Sequence, residues 1–484
     1  MLSGAFLRGG FGGYVTISKP DDIPLWQRAA RAHRRSPSLI LLDENEGFNF
    51  LSYELARHGL EGIGTVVECL MRVVETAKRA SATASQKGGE AFWEESMRMT
   101  LRYAIPALYA ANGSLSISDL IQFITTAPQS PSQVEDAGWK RRSFMYQTLE
   151  AVVSTPAVPI DGAALGECIT FWSETFPAIP DKTRGNVVAT IAATLDRFRH
   201  GRLQKVFCGR TTVVPELSFH GAIILGAMPT LTWNEDGVIG QQIFKFFWQR
   251  SVLTRNSLAQ KHQERPLFLW SDEAQETCAP EDGAFLGLTR SSKCAVVYLT
   301  QNLPKYFSKI GGDTPRDAAE GLVNTFSTHI YHSNPCPTTN EFASRMLGKV
   351  LKRRANHSTG SSTSHSVGMN SGRNDNKGHS SNSGSSYSAA SGMGNHASHG
   401  GNYGSGSTSG SGSSWGDTRG RGTSESETTG YSESMESAME PGDFARLLKN
   451  GGRANGGIVT GIWFQSGRKF NSTGTNFMLG RFKQ

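Results

Sequence analysis

Residues 355–438 constrain the fold of this 484-residue chain more than any other stretch. They are rich in Ser, Gly, Asn and His and contain hardly an aliphatic residue, so they cannot bury enough apolar surface to offset the entropy lost on ordering. We predict a disordered linker here, and we attribute its five histidines to composition rather than to a metal site. The chain therefore cannot form one continuous globular domain.

The N-terminal residues have the pattern of a βαβ unit. Strand patterns at 12–18 (GGYVTIS) and 38–42 (SLILL) flank an amphipathic helix pattern over 21–35. The run at 38–42 is apolar on both faces, which is typical of a parallel strand covered by helices. Strand, helix and strand at this spacing predict a parallel α/β sheet.

A long helical stretch interrupts the strand patterns. Residues 61–200 contain only helical periodicity, which predicts an all-α insert. Strand patterns return at 221–228, 266–271, 294–300 and 322–332. We therefore predict one α/β domain built from residues 1–60 and 201–354. A last strand pattern at 457–465 predicts that the segment 439–484 returns to this sheet after the linker.

Charge and cysteine content exclude several classes of protein. The net charge is +7, and residues 440–484 carry seven basic and two acidic side chains, so the remainder is close to neutral. A strongly basic body is excluded, whereas a basic tail is not. None of the six cysteines lies in a CxxC pair, which argues against a disulfide or zinc framework. No run of about 18 apolar residues predicts a membrane span, and the N-terminus lacks the pattern of a secretory signal.

An acidic pair is the strongest functional signal. The apolar strand pattern of LFLWSDEAQ ends in Asp272 and Glu273. The carboxyl ends of strands are where open α/β sheets bind ligands. In RecA-like phosphoryl-transfer enzymes the first carboxylate of such a pair holds the Mg²⁺ shell and the second polarises the attacking water. The alternative is an exposed acidic turn after a strand.

A second segment, LILLDE at 39–44, has the same form, and its context separates the two. A water-activating pair needs a neighbouring strand that ends in a polar sensor of the γ-phosphate. The strand pattern after Asp272 is followed by Gln301, whereas only helical patterns follow Asp43. We therefore favour Asp272 and Glu273, and expect Asp43 to be structural or close to an adenosine.

A nucleotide site of this kind has two further elements, a positive charge that acts on the γ-phosphate and a phosphate cradle. Arg290, just before the strand pattern at 294–300, is a candidate arginine finger. A solvated arginine at a loop is the alternative, and Lys293 competes for the same role. No GxxxxGK[ST] motif occurs in the chain, so it has no recognisable phosphate cradle.

The order of these segments resembles a known family. PLFLWSDEAQ, TRSSKCAVVYLTQNLP, GLVNTFSTHIYHSN and TNEFASRMLGK together resemble the TraD/TraG class of type IV secretion coupling proteins, in their C-terminal motor region with its TraM-recognition segment. GGYVTISKPDD and LILLDENEGFNFLSYEL are similar to the stretch after the P-loop helix of those ATPases. AFWEESMRMTLRYAI is similar to the start of their helical insert. The resemblance covers roughly residues 1–350 and, loosely, 438–484.

The resemblance implies a RecA-like P-loop NTPase fold and a homo-hexameric, ATP-driven pump, similar in plan to the FtsK and HerA translocases. Such a pump lies at the cytoplasmic face of the bacterial inner membrane, recruits relaxase-bound single-stranded DNA with its relaxosome proteins, and drives the DNA through the secretion channel. ATP and Mg²⁺ are the implied cofactors. By matching position, Asp272 would hold Mg²⁺ through water, Glu273 would activate water, Gln301 would sense the γ-phosphate, and Arg290 would act on a neighbouring subunit.

The family's membrane anchor and P-loop would lie upstream of residue 1. Three explanations remain open: a misassigned start, a truncated gene, or a cradle supplied by another chain. Two other functions also remain open. One is a non-catalytic module that docks relaxosome or secretion partners through the helical insert and the basic tail. The other is a RecA-like secretion ATPase of a different branch.

The basic tail predicts contacts with nucleic-acid phosphates. The candidate residues are Lys449, Arg453, Arg468 and Lys469, with Arg481 and Lys483 as further members of the same group. Phosphate contacts of this kind make DNA affinity fall steeply with salt. The alternative is ordinary surface charge on a pair of strands.

Overall fold

The computed structural model describes residues 2–80, 90–279, 281–310, 314–368, 379–385, 401–407 and 418–483. The chain divides into two compact units, Met1–Ser327 and Thr328–Gln484. The strands are β1 (Gly12–Thr16), β2 (Leu39–Leu42), β3 (Ile223–Gly226), β4 (Leu267–Ser271), β5 (Cys294–Tyr298), β6 (Thr328–His332), β7 (Lys349–Gly368), β8 (His379–Ser385), β9 (Gly401–Ser407), β10 (Thr418–Ser437), β11 (Ile458–Gln465) and β12 (Phe477–Lys483).

The helices are likewise numbered in chain order. They are α1 (Leu2–Arg8), α2 (Asp22–Ala32), α3 (Phe50–His58), α4 (Ile63–Ala80), α5 (Glu90–Asn112), α6 (Ile117–Thr125), α7 (Ala137–Arg142), α8 (Phe144–Ser154), α9 (Gly162–Thr170), α10 (Phe176–Ala178), α11 (Asp181–Asp196), α12 (Gly201–Phe207), α13 (Thr230–Trp233), α14 (Glu235–Thr254), α15 (Asp282–Leu288), α16 (Leu303–Ile310), α17 (Pro315–Asn324), α18 (Pro337–Leu347) and α19 (Pro441–Arg446). None of the described helices is both long and apolar enough to cross a membrane.

The first unit is built on a five-stranded parallel sheet in the order β2-β3-β1-β4-β5. The α/β class predicted from the sequence is therefore confirmed, and the segments before and after the helical stretch share one sheet. The central strand β1 is fully buried. A Cβ atom at Gly13 would lie only 2.2 Å from the Phe268 carbonyl oxygen, so the close pairing of β1 with β4 requires glycine there.

Helices cover both faces of the sheet, as its continuous apolar strands require. On one face, α1 and α2 bring Leu7 and Trp26 against Val15 and Phe268. On the other face, α14 packs Phe244 and Trp248 near the ring of Tyr14. The carboxyl end of β1 is fixed to α14 by the buried Gln241, which accepts from the Ile17 amide at 2.7 Å and donates to the Ile17 carbonyl at 2.8 Å.

The described chain between β2 and β3 is helical, with short loops and no strand. Side-chain caps begin several of these helices, since Asn49, Ser116 and Asp161 each accept hydrogen bonds from the first turn. Their buried residues belong to the same hydrophobic core as those of α14. The expected helical insert is thus not a separate core, and helices α3 to α12 form one compact unit with the sheet.

The second unit corrects one sequence prediction. The C-terminal strands do not return to the five-stranded sheet; β11 pairs with β6 and β12 in a separate antiparallel sheet. Its core lies on one face, where Ile462 and Phe464 pack with residues of α18 and α19, including Leu347 and Phe444. The alternating pattern of β11 suits a sheet with one covered face, which is the ordinary arrangement for antiparallel strands.

The segment predicted to be a disordered linker also differs from the expectation where it is described. β7 pairs with β10, and β8 pairs with β9, both antiparallel. No described residue of these strands belongs to the buried core. Backbone hydrogen bonds between paired strands need no apolar side chains. Amino-acid composition therefore does not reveal this pairing. For residues 369–378, 386–400 and 408–417, which lie outside the described residues, disorder stays a prediction.

A buried ion pair holds the loop after β4 against α14. Lys245 and Asp282 are almost fully buried, and their charged atoms are 2.7 Å apart. Lys245 also donates to the Thr277 carbonyl at 2.5 Å, and Asp282 accepts from Gln249 at 2.9 Å. Because the surrounding donors and acceptors are paired, the cost of burying both charges is offset only while both partners are present.

We predict that Lys245→Met lowers the free energy of unfolding by about 3–5 kcal/mol, since it leaves the Asp282 carboxylate buried and unpaired. The double variant with Asp282→Asn should lose less, because the remaining buried group is then neutral. Chemical denaturation followed by circular dichroism measures both changes. Lys309→Met, which breaks the half-exposed pair with Glu276, is the matched control and should cost about 1 kcal/mol or less. Equal losses for the two single variants would contradict the prediction.

Candidate functional site

The candidate site lies at the carboxyl edge of the parallel sheet. The loops after β1, β4 and β5 carry Lys19, Glu273 and Gln301 to one cavity of about 520 Å³. β4 pairs with both neighbours, with Ser271 opposite Thr16 and Tyr298, so the residues just beyond these positions meet at the same edge. The cavity falls within the range of about 300–1,000 Å³ that is typical of small-molecule sites.

Glu273 has an unusual backbone conformation for a residue with a side chain. Its φ and ψ are 46° and 51°, in the left-handed region. Residues held in this region cost of order 1–3 kcal/mol and cluster at functional sites. The Glu273 side chain lines the cavity. Its Oε1 accepts from Gln301 at 2.5 Å and its Oε2 accepts from Gln275 at 2.6 Å.

A network of polar side chains holds this carboxylate in place. Lys305 donates to the Gln301 side-chain oxygen at 2.8 Å, and its ammonium lies 3.8 Å from Oε2 of Glu273. Thr300 donates to the Gln275 side-chain oxygen at 2.8 Å. Burial tends to raise the pKa of Glu273, but the hydrogen bonds from Gln275 and Gln301, together with Lys305 and Lys19, outweigh it and lower this pKa below its ordinary value. The site therefore holds an ionised carboxylate with fixed geometry.

Asp272 points elsewhere. It lines a second cavity of about 200 Å³, together with Asp22 and Trp270, on the sheet face that α2 covers. Its Oδ1 accepts from the Glu273 amide at 3.0 Å. Partial burial, and next the charge of Asp22, raise the pKa of Asp272 above its ordinary value. The two adjacent carboxylates thus occupy different environments, one ionised readily and one less so.

Asp272 and Asp22 are the two carboxylates that the second cavity offers to a magnesium ion. The described residues contain no group of three or more His, Cys, Asp or Glu side chains that could hold a metal ion. Mg²⁺ keeps several water ligands, however, and proteins often bind it through one or two carboxylates with substrate phosphates. Asp272 and Asp22 fit that pattern, because a divalent cation would offset the negative charge of Asp22, which after burial is the second cause of the raised pKa of Asp272.

Three polar residues of the cavity were not identified from the sequence. Lys19 is exposed, lines the cavity and lowers the pKa of Glu273. Its position just beyond β1 was a usable signal, because ligands bind where parallel strands end. Lys305 lies four residues after Gln301, near the start of α16, and only the hydrogen bond between them reveals its role. The role of Gln275 is likewise revealed only by its hydrogen bond to Glu273.

The other sequence candidates lie outside this cavity. Arg290 is exposed and precedes β5, at the end of the sheet opposite Gln301. A five-residue strand spans about 16 Å, so Arg290 does not reach Glu273 of its own chain. The rival segment at 39–44 makes surface ion pairs, since Glu44 lies 2.8 Å from Lys205 and 3.3 Å from Arg202.

The basic candidates of the tail belong to the second unit. Lys449, Arg453, Arg468 and Lys469 are all exposed. Their proposed contacts with phosphates stay a prediction.

No family model matches the chain, and no curated protein matches it. Solved structures do match. The bacterial conjugative coupling protein TrwBdeltaN70, in its unbound monoclinic form, is 12% identical with a TM-score of 0.47, over 98% of this chain and 84% of that one. The plasmid coupling protein TrwB in complex with ADP and Mg²⁺ is 15% identical with a TM-score of 0.40, over 72% and 76%. Structural similarities this distant carry no argument about function. The functional argument rests on the residues of this chain.

We predict that Gln301→Leu raises the pKa of Glu273, because it removes a hydrogen bond to the ionised form and frees Lys305 from its position. Carbon-13 NMR titration of a glutamate-labelled chain measures this pKa, and Glu273→Gln assigns the signal by its loss. Gln260→Leu, at an exposed position outside the cavity, is the control. An unchanged Glu273 titration in the Gln301 variant would show that the amide does not stabilise the carboxylate.

Proposed function

We propose that this chain is the motor body of a DNA-translocating ATPase, a coupling protein of a type IV secretion or conjugation system. The observation that carries the proposal is the hydrogen bond between Glu273 and Gln301, which joins an acidic pair after β4 to an amide after β5. RecA-like phosphoryl transfer uses a carboxylate to position water and a neighbouring polar group to detect the γ-phosphate. Both groups lie at the sheet edge where such ligands bind.

Each residue of the site has a distinct role in this proposal. Glu273 is ionised and fixed by two amides, so it can orient a water molecule and accept its proton. Lys19 and Lys305 place positive charge beside it, which suits the phosphate groups of ATP. Asp272 would hold hydrated Mg²⁺, which supplies charge neutralisation at the phosphates when it is bound.

The proposal requires a phosphate cradle that these 484 residues do not provide in recognisable form. It also assigns Arg290 to a neighbouring subunit, because this exposed guanidinium lies at the far end of its own sheet. A homo-hexameric ring would place such an arginine at a subunit edge. The proposed partners are relaxase-bound single-stranded DNA and the secretion channel, at the cytoplasmic face of the bacterial inner membrane.

One observation favours a second function. The missing GxxxxGK[ST] motif fits a non-catalytic module that binds relaxosome or secretion partners. The positioned carboxylate of Glu273 beside Gln301 and Lys305 favours the ATPase, because a binding module has no need of a fixed proton acceptor. A RecA-like secretion ATPase of another branch would share the same site and differ only in its cargo.

We predict that Glu273→Gln slows ATP hydrolysis by about 10²–10⁴-fold, because it removes the proton acceptor and keeps the shape of the side chain. The assay follows phosphate release with Mg²⁺ present, for the 484-residue chain and for the longer polypeptide read in frame from upstream. Glu276→Gln is the matched control, since Glu276 lines the same cavity but pairs with Lys309. Hydrolysis that both variants leave intact would remove Glu273 from its role, and no hydrolysis by either polypeptide would favour the binding module.

We predict that replacing four tail residues by alanine weakens the salt dependence of single-stranded DNA binding. The residues are Lys449, Arg453, Arg468 and Lys469. Each lost phosphate contact lowers the slope of log K against log salt by about 0.7 for single strands. Fluorescence anisotropy at several salt concentrations measures the slope. Alanine at the exposed residues Arg28, Arg31, Arg141 and Arg142 is a control of equal charge, and equal slopes in the two variants would exclude the tail.

A further inference from the structure

The antiparallel ribbon of β7 and β10 has two faces of different chemistry near the end that follows α18. Residues that pair directly share a face, and so do residues two positions apart on one strand. We define the ribbon face as the side chains of three register pairs: Leu351 with Met435, Arg353 with Glu433, and Ala355 with Tyr431. The opposite face is charged, since Lys352 and Arg354 lie 3.9 Å and 2.7 Å from the carboxylate of Glu436.

The ribbon face is largely apolar and open to solvent. Leu351, Met435 and Tyr431 are 61%, 59% and 69% exposed. Between them, Arg353 lies 3.0 Å from the Glu433 carboxylate and 5.0 Å from the centre of the Tyr431 ring. No other described strand pairs with β7 or β10. A two-stranded ribbon alone is only marginally stable in water, so an exposed apolar face on it indicates a surface that a partner covers.

The order of side chains on the ribbon face makes it complementary to a second copy of itself. Two ribbons can stack face to face about a two-fold axis that runs parallel to the strands. This axis places each residue of β7 opposite its own register partner in the other copy. Arg353 then lies opposite the partner's Glu433, while Leu351 lies opposite the partner's Met435. Ala355 lies opposite the partner's Tyr431, so a small side chain faces a large ring.

The size of the ribbon determines the expected strength of this contact. Each strand has 20 residues, so the ribbon is about 65 Å long and roughly 10 Å wide. The resulting face of roughly 600 Å² per copy is at the low end of specific interfaces. Among the described side chains of this face, Lys349 is the only other charge, and it lies opposite the partner's Ser437. No like charges therefore meet among the described side chains.

We propose that two copies of this chain associate through their ribbon faces as a reversible two-fold dimer. A nucleic acid fits this surface less well, because Glu433 would repel its phosphates. A second copy instead supplies an arginine for Glu433 and apolar side chains for Leu351 and Tyr431 at matched spacing. The inference does not depend on the proposed function, since neither the cavity at Glu273 nor the basic tail takes part in the contact.

An exchange of the two central charges tests the dimer. The double variant Arg353→Glu with Glu433→Arg keeps the ion pair within each chain and reverses its direction. We expect this variant to bind itself as tightly as the unaltered chain binds itself. It should bind the unaltered chain at least tenfold more weakly, because like charges then meet at both central positions. Photocrosslinking with Tyr431→p-benzoylphenylalanine reports this contact, and mixing labelled ¹⁵N chains with unlabelled ones separates crosslinks between chains from those within one.

A matched exchange on the opposite face is the control. Arg354→Glu with Glu436→Arg also reverses an ion pair across the ribbon, and it should leave crosslinking to the unaltered chain unchanged. Tyr431→Ser should raise the dimer Kd in sedimentation velocity about tenfold. Two results would overturn the proposal. One is equal crosslinking of the unaltered chain to itself and to the Arg353 and Glu433 double variant, and the other is no crosslink between chains at all. A ring held together by other surfaces would not produce the charge dependence.

Discussion

The position of β4 between β1 and β5 is the constraint on which the candidate site depends. Parallel pairing gives all three strands the same direction, so the loops that carry Lys19, Glu273 and Gln301 leave from one edge. Gly13 makes this pairing possible, because a side chain there would collide with the backbone of β4. The backbone geometry of the sheet therefore determines which residues meet at the site.

The sequence was sufficient to predict the parts of the site that lie directly after the carboxyl ends of parallel strands. An apolar strand ending in Asp272 and Glu273, followed by a strand ending in Gln301, predicts a shared edge without coordinates. The opposite directions of the two carboxylates follow the alternation of β4, because Asp272 lies with Trp270 on the face that α2 covers and Glu273 lies on the face that α14 covers. Asp272 and Glu273 consequently line different cavities, although adjacency alone suggests a single site. The hydrogen bonds of Gln275 and Lys305 around Glu273 were beyond prediction, because they depend on side-chain positions that no local pattern encodes.

In the second unit, the sequence was sufficient to predict that β11 is a strand, but not which strands it pairs with. The alternating pattern of β11 indicates a half-buried strand, and the structure has one at Ile458–Gln465. Its pairing with β6 joins residues on either side of the Ser- and Gly-rich segment, and local patterns hold no information about so distant a partner. The contact between His332 and Phe482, which are far apart in sequence, arises only from this register.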